Sequence, residues 1–489
     1  MSIKHASEES ARNNPTSRIL RGAKVSIPED KVSGVIDVAP VISSVTNVGC
    51  TAYVTFSHTP TTGGIATSFT ATSSPGNITA TVTDNTKPII VTGLTANTSY
   101  TFTVTATNSV SQKTSSSSSS ITTTVSSVTS NQSATDLYTV MTTLANSVTT
   151  STPTAGGTLT LNGVSLGSYD YVIKRGNQTI STFTNSDWFT NTADTRSALI
   201  VVDGDLTINR LERFIPSNRK LFTCIYVTGN LINNGQILMT DRGANHSATA
   251  AGNIRLHTGT FTGVTNPQIP ASGGAGGGTV TRSGPPTGTT NANPGSAGTN
   301  GGTGGGSGGC AIVAGDATGV TVIGGSGSAG TSFTGGGGGG SIMIYASSGT
   351  LTSGNAVANG GAGGNAGPSY TYGASGGVGN PAGSSSQGGT QGSYPFDAGD
   401  GTAGSLCIFV LGELRGQGLI QSNGHSNMGY QYNQYMQCPG GSGGGGSVTI
   451  FYKYDNSLIT PTANGGKAPG QGDRDGGGGA GTARKLALP

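Results

Sequence analysis

The sequence predicts an all-β protein: a two-sheet β-sandwich followed by a larger, glycine-rich, solenoid-like β head. Three observations lead there. The first is a repeated unit. Gly335 to Gly361 reads GGGGGGSIMIYASSGTLTSGNAVANGG, a glycine run entering an alternating strand, then a turn, a second short strand and a closing Asn-Gly-Gly. Gly443 to Gly466 follows the same grammar, with Val448, Ile450 and Tyr452 alternating with polar residues and Leu458-Ile459 beyond a turn. The second observation is a set of shorter copies around Ile200 to Leu206, Ile225 to Leu231 and Ile408 to Leu414. In each, apolar residues two apart share one strand face, and a Gly followed by Asp, Asn or Glu supplies a tight turn. The third is a stretch from Val38 to about Val125 in which short alternating strands are separated by turn signals at Thr62-Gly-Gly64, Ser74-Pro-Gly76 and Asn85 to Pro88.

Composition narrows the function classes. The chain of 489 residues has room for two or three domains with cores of their own. Only 9% of residues are charged and the formal net charge is +3, so the dense basic face that nucleic acid demands is missing. No apolar run approaches membrane-spanning length, which argues against membrane insertion. Cys50, Cys224, Cys310, Cys407 and Cys438 form neither a CxxC nor an even framework, the pattern of free thiols in a reducing compartment. Met1-Ser-Ile-Lys-His opens into polar sequence with no apolar export segment, so synthesis in a cytosol without a signal peptide is expected.

Along the chain, residues 1–36 form a polar arm carrying Lys4, Arg12, Arg18, Arg21 and Lys24, either a loose tail or an anchor to a larger assembly. Residues 37–125 hold about seven short strands, which fits a sandwich. Ile90-Val-Thr-Gly-Leu94 followed by Thr98-Ser-Tyr100-Thr-Phe102-Thr-Val104 resembles a fibronectin type III domain of the microbial kind. The resemblance implies a tyrosine corner at Tyr100 and a spacer role. Where many members carry a core Trp, this chain offers Phe56 and His58.

Residues 126–155 read as a Ser/Thr-rich linker with one amphipathic helix. Leu137, Val140, Met141, Leu144 and Val148 share a helical face, and Ser133 stands as the expected N-cap. So short a helix needs a surface to pack on, either the following domain or its own copies.

Residues 156–489 form the glycine-rich β head, with Trp188, the only tryptophan, expected in its core. The segments from Ala198 to Ile208, Phe214 to Phe222 and Tyr226 to Leu231 resemble a glycine-rich domain type common in bacteriophage tail fibres and in surface proteins of large DNA viruses. Gly301 to Gly309 and Gly335 to Gly340 resemble the packed polyglycine-II helices of phage receptor-binding adhesins. Such helices leave every backbone N–H and C=O free for lateral bonding. Without strict triplets, a β core with glycine-rich loops is an equal alternative.

Three aromatic clusters interrupt the glycine background and are the expected binding residues: Tyr370 and Tyr372, Tyr394 and Phe396, and Tyr430, Tyr432 and Tyr435. Tyrosine offers a large amphipathic face with few rotors, which suits contact with sugar or protein surfaces. No catalytic residue and no metal or cofactor site is assigned. Asp397, Asp400 and Glu413 are carboxylates that could pair in a depolymerase, and Gly472 to Gly476 has the look of a calcium-binding turn in the wrong register. Extracellular domain types without an export signal fit a virion protein. The leading expectation is a non-enzymatic fibre- or spike-type surface protein, anchored to other virion proteins through its arm, with host glycan or receptor as the ligand of its head. A homo-oligomer is expected, with a trimer as the usual fibre state. The alternatives are a minor or vertex-associated capsid protein that binds no receptor, and a cellular surface adhesin.

Overall fold

The computed structural model describes residues 34–161, 164–191, 196–218, 220, 223–240, 242, 404–423, 446–464 and 482–488, and the backbone of six short strands between 280 and 357. Gly301 to Gly309 and Gly335 to Gly340 lie outside the described residues, as do arm residues 1–33. The fold is all-β with one described α-helix, and it divides into two compact units. The first comprises residues 34–46, 53–91 and 99–122; the second comprises 47–52, 92–98 and the chain from 123 onward.

In the first unit, strands β1 (Val41–Val48), β2 (Thr51–Ser57) and β5 (Ile89–Val91) form one sheet in the order β1-β2-β5. Strands β3 (Ser68–Ser74), β4 (Thr79–Val82), β6 (Ser99–Thr107) and β7 (Gln112–Thr114) form the other, in the order β4-β3-β6-β7, with β8 (Ile121–Thr122) also on β6. Strict alternation decides the inner faces: Tyr100, Phe102, Val104 and Ala106 of β6 are buried and the residues between them are not. Phe56 packs on Phe69 with ring centres 5.0 Å apart, and the His58 ring lies edge-on to Phe69 at 5.3 Å. His58 Nε2 donates to the Val38 carbonyl at 3.1 Å, so this histidine is a core residue with its polar atom satisfied.

The second unit opens with β9 (Gln132–Ala134) and helix α1 (Leu137–Ala145), followed by β10 (Thr154–Leu161). The N-cap is Asp136, whose carboxylate accepts the Thr139 N–H at 2.7 Å, and not Ser133. Ser133 is committed to the β9 ladder, where it pairs with Thr160. The helix also ends earlier than the apolar spacing predicts: Asn146 caps it, and Val148 lies beyond it, half exposed. Leu137, Val140, Met141 and Leu144 form the buried face.

From β11 (Val164–Arg175), antiparallel to β10, the pairing turns parallel. The chain then runs through β12 (Gln178–Ile180), β13 (Ser197–Asp203), β14 (Leu206–Ile208), β15 (Arg213–Phe214), β16 (Thr223–Val227), β17 (Leu231–Asn233) and β18 (Gln236–Leu238). Six strands follow, β19 (Val280–Ser283), β20 (Gly288–Asn291), β21 (Ala311–Ala314), β22 (Val320–Ile323), β23 (Ile342–Tyr345) and β24 (Ala356–Val357). They make two separate parallel ladders, β19-β21-β23 and β20-β22-β24. The main ladder resumes with β25 (Ser405–Gly416), β26 (Leu419–Gln421), β27 (Ser447–Ser457) and β28 (Thr482–Ala487). Strands β11, β13, β16, β25, β27 and β28 stack in parallel in that order. Beside them stack β12, β14, β17 and the end of β25, and then β15, β18 and β26.

In-register stacking sorts side chains into columns. Val172, Ile200, Ile225, Ile408 and Ile450 form one, within the hydrophobic core. On the opposite strand face run Val201, Tyr226, Phe409 and Phe451, with Phe409 and Phe451 stacked at 4.9 Å. Tyr138 of α1 sits on this aromatic column, 5.8 Å from Tyr226 and 5.3 Å from Phe409, and Thr142 Oγ1 lies 2.9 Å from the Tyr226 hydroxyl. Core on one face and helix on the other explain why every residue of β13 and β16 is buried and why these strands read as continuous apolar runs. Trp188 is buried against Phe214, ring centres 5.2 Å apart.

The Gly-acidic and Gly-amide pairs are not the hairpin turns their sequence suggests. Gly176-Asn177, Gly204-Asp205, Gly229-Asn230 and Gly412-Glu413 lie one above another at a corner between parallel ladders. Asn177 Oδ1 accepts the Asp205 N–H (2.9 Å), Asp205 Oδ1 accepts the Asn230 N–H (2.7 Å), and Asn230 Oδ1 accepts the Glu413 N–H (2.9 Å). The glycines bond in parallel, Gly229 N–H to Gly204 O at 2.9 Å and Gly412 N–H to Gly229 O at 3.0 Å. A Cβ on Gly229 would lie 2.7 Å from Gly204 backbone. Asn230→Ala should therefore cost about 1–3 kcal/mol, one buried N–H being left without its acceptor. Gly229→Ala should cost more, because backbone must separate. Urea unfolding of the two variants against the parent chain measures both.

Candidate functional site

The third set of strands, β15, β18 and β26, leads to a second corner, which the described chain reaches and resumes from more than once. The described chain runs past Met239 to Arg242, whose carbonyl accepts the Lys220 N–H at 3.1 Å, and resumes at Gly404, whose N–H donates to the Met239 carbonyl at 2.8 Å. It leaves after Asn423 and is back at Gly446, whose N–H donates to the Ser422 carbonyl at 2.9 Å. After Asn464 the next described residues are those of β28. These roots are tied to one another. Met239 N–H donates to Gln421 O at 2.8 Å, Ser422 N–H to Thr462 O at 2.9 Å, and Asn464 N–H to Asn423 Oδ1 at 2.8 Å.

The seven aromatic residues expected to bind all belong to the first two excursions. Tyr370, Tyr372, Tyr394 and Phe396 fall between Met239 and Gly404, and Tyr430, Tyr432 and Tyr435 between Asn423 and Gly446. They themselves lie outside the described residues, as do Asp397, Asp400 and the turn at Gly472 to Gly476. Glu413 is described: it is buried at the Gly-Asx corner and forms an ion pair with Arg415. It thus serves the corner and is not presented as an exposed acid.

A third corner carries an open, polar cleft of about 460 Å³, lined by Asn234, Gly416, Gln417, Asp455, Asn456, Ser457 and Leu458. Gly416 belongs here for conformational reasons: its φ is +98°, and a Cβ would meet the Asn233 carbonyl at 2.1 Å. Asp455 accepts from Ser457 Oγ at 2.6 Å and pairs with Lys485 of β28. Burial pushes this carboxyl upward, but Lys485 and Ser457 outweigh it and hold the group below the ordinary carboxylate range. Amide, hydroxyl and carboxylate groups line this cleft, and Leu458 beside them is 80% exposed.

Sequence reading passed over a heavily bonded charge in the second unit. Asp203, completely buried at the end of β13, receives the Cys50 N–H at 2.6 Å, the Thr51 hydroxyl at 2.9 Å and the Thr228 hydroxyl at 3.0 Å, and it pairs with Arg175. Residues 47–52 belong to this same unit. Burial raises the Asp203 carboxyl despite these donors, and burial likewise pushes the neighbouring Cys50 thiol up to about 11. A protonated, shielded thiol is a poor nucleophile, and the carboxylate oxygens are already engaged, so the cluster is built to hold structure. A similar group joins Asp170 to Arg196 at 2.7 Å, with buried Lys220 donating to Thr190 O at 3.0 Å. Among the described residues no group of three or more His, Cys, Asp and Glu side chains is placed to hold a metal ion.

Compared with family models, with curated proteins and with solved structures, the chain matches none.

The Asp455 pair generates a pH prediction. A carboxyl held below its unfolded pKa stabilises the fold above that value and loses the contribution as pH falls through the folded one. Strand β28 should therefore exchange its amide hydrogens faster, after correction for intrinsic rates, at about pH 2.5 than at about pH 6. In Asp455→Asn this pH dependence should shrink, and equal protection at both pH values in the parent chain would refute the role given to the pair.

Proposed function

We propose that this chain is a non-enzymatic structural protein of a virion surface, fibre- or spike-like, whose head presents aromatic loops to a host glycan or receptor. The observation that carries the reading is the shared root of the excursions. Two segments holding seven candidate contact residues start and finish at neighbouring rungs of one corner, on a stack that fixes their ends. Binding residues on loops held by a rigid scaffold are a general arrangement for recognition. In this reading the parallel ladders are the coils of a solenoid. The first unit is a fibronectin type III-like spacer, a reading supported by its sheet orders β1-β2-β5 and β4-β3-β6-β7. The polar arm joins the protein to other virion components, and copies associate as a symmetric oligomer.

One observation favours a second reading, a capsid component that cements neighbours without a receptor. Leu211 (87% exposed) and Leu458 (80%), with part-exposed Leu419, mark the turns at the corner of the polar cleft. Gln236 N–H bonds Glu212 O, Leu419 N–H bonds Gly235 O and Leu458 N–H bonds Gly416 O, each at 2.9 Å, so these turns lie on successive rungs. Such a ridge suits coverage by another protein.

The test is binding of the full-length chain to intact cells of candidate hosts, with and without glycosidase treatment, beside a variant carrying Tyr430→Ser, Tyr432→Ser and Tyr435→Ser. The expected outcome is saturable binding that the triple variant loses by at least about tenfold, roughly 1.4 kcal/mol, with an unchanged melting temperature. Absence of binding to every surface, with association to purified virion proteins, would favour the cementing role instead.

A further inference from the structure

Cys224 of β16 and Cys407 of β25 are register partners in adjacent parallel strands, and both are buried. Register partners project to the same side of a sheet, and adjacent strands place their Cα atoms about 4.8 Å apart. That Cα separation lies inside the range of roughly 4.4–6.8 Å that a disulfide accepts, and the side-by-side Cβ atoms need to close by only roughly half an ångström to reach the range of about 3.5–4.5 Å. The Cys407 side chain adds to burial in raising the Cys224 thiol, as a neighbouring thiol does. Leu199 and Thr449 continue the column on either side, and the other described thiol, Cys50, lies beside Asp203 with its backbone N–H bonded to that carboxylate.

We propose that Cys224 and Cys407 form a modification site, a thiol pair that is oxidised to a cross-strand disulfide joining the two rungs on either side of the excursion from Met239 to Gly404. The oxidant is a small-molecule disulfide. One cysteine gives up its proton and attacks, forming a mixed disulfide and releasing one small thiol. The second cysteine then displaces the other half. Two protein S–H bonds and one oxidant S–S bond become one protein S–S bond and two small thiols, and two electrons pass from protein to oxidant. Burial holds the Cys224 thiol well above the ordinary thiol range, so exchange is slow in the closed ladder and proceeds while β16 and β25 are still coming together. The same burial afterwards shields the bond from reductants. The inference is independent of any ligand.

To test it, the full-length chain is unfolded, fully reduced and refolded in a glutathione redox buffer. Free thiols are alkylated and the protein is digested without reduction. The expected product is a peptide pair linked through Cys224 and Cys407, two hydrogens lighter than the reduced pair. The oxidised chain should melt roughly 5–10 °C above the chain kept in reductant. A Cys224→Ala/Cys407→Ala variant should melt at the same temperature with and without reductant. Recovery of both residues alkylated from folded, oxidised chain would overturn the proposal, as would their pairing with Cys50, Cys310 or Cys438. Should the double variant not fold, the parent chain's peptide map decides alone.

Discussion

The second unit depends on the hydrogen-bonded corner at Gly204-Asp205, Gly229-Asn230 and Gly412-Glu413. Parallel strands can slide, and in a ladder built by one chain a slip of one residue turns every core side chain outward. The corner prevents it from both directions. Each Asp or Asn oxygen takes the backbone N–H of the next rung, which fixes that rung to a single register. Each glycine removes the Cβ that would otherwise separate the rungs, a Cβ on Gly412 lying 2.5 Å from Gly229 O. Once register is set there, Ile200, Ile225, Ile408 and Ile450 must coincide, as must Tyr226, Phe409 and Phe451. The platform beneath Tyr138 of the helix follows from the second coincidence.

Much of this was legible in the sequence, and the limits have physical causes. The strand faces were readable because period-two alternation is local: the buried set in β6 and the column residues Val448 and Ile450 follow from it directly. Parallel stacking was not, since alternation is identical in parallel and antiparallel strands, and Gly followed by Asp, Asn or Glu suits a hairpin as well as a corner. The decisive pairing of β16 with β25 joins residues separated by the whole first excursion. No local signal reports such a partner. The helix shows the same division. Its apolar face was visible, whereas its start was misplaced because Ser133 was claimed by β9, a tertiary demand that overrides a good capping residue.

For the candidate site, sequence reading chose aromatic residues by chemical type alone, and the fold supplies where the segments that carry them begin and end. The common root at Met239, Gly404, Ser422 and Gly446 depends on the number of rungs completed before each departure, a count that no motif carries. The buried charges were missed for a related reason. Asp203 follows Val202 and precedes Gly204, and in that setting it reads as a turn residue. Only the return of residues 47–52 and of Thr228 to the same point makes it a hub with Arg175.

The ladder also holds the flanks of the long glycine-rich segment, where the Gly404 N–H bonds the Met239 carbonyl. Here they are held by backbone bonds made for another purpose, the stacking of rungs. The ladder's integrity across this segment rests on the match between β16 and β25: the Ile225 and Ile408 contact on one face, and Cys224 with Cys407 and Tyr226 with Phe409 on the other. Both strands are buried on both faces at that step, which concentrates apolar burial where the chain connection is most remote.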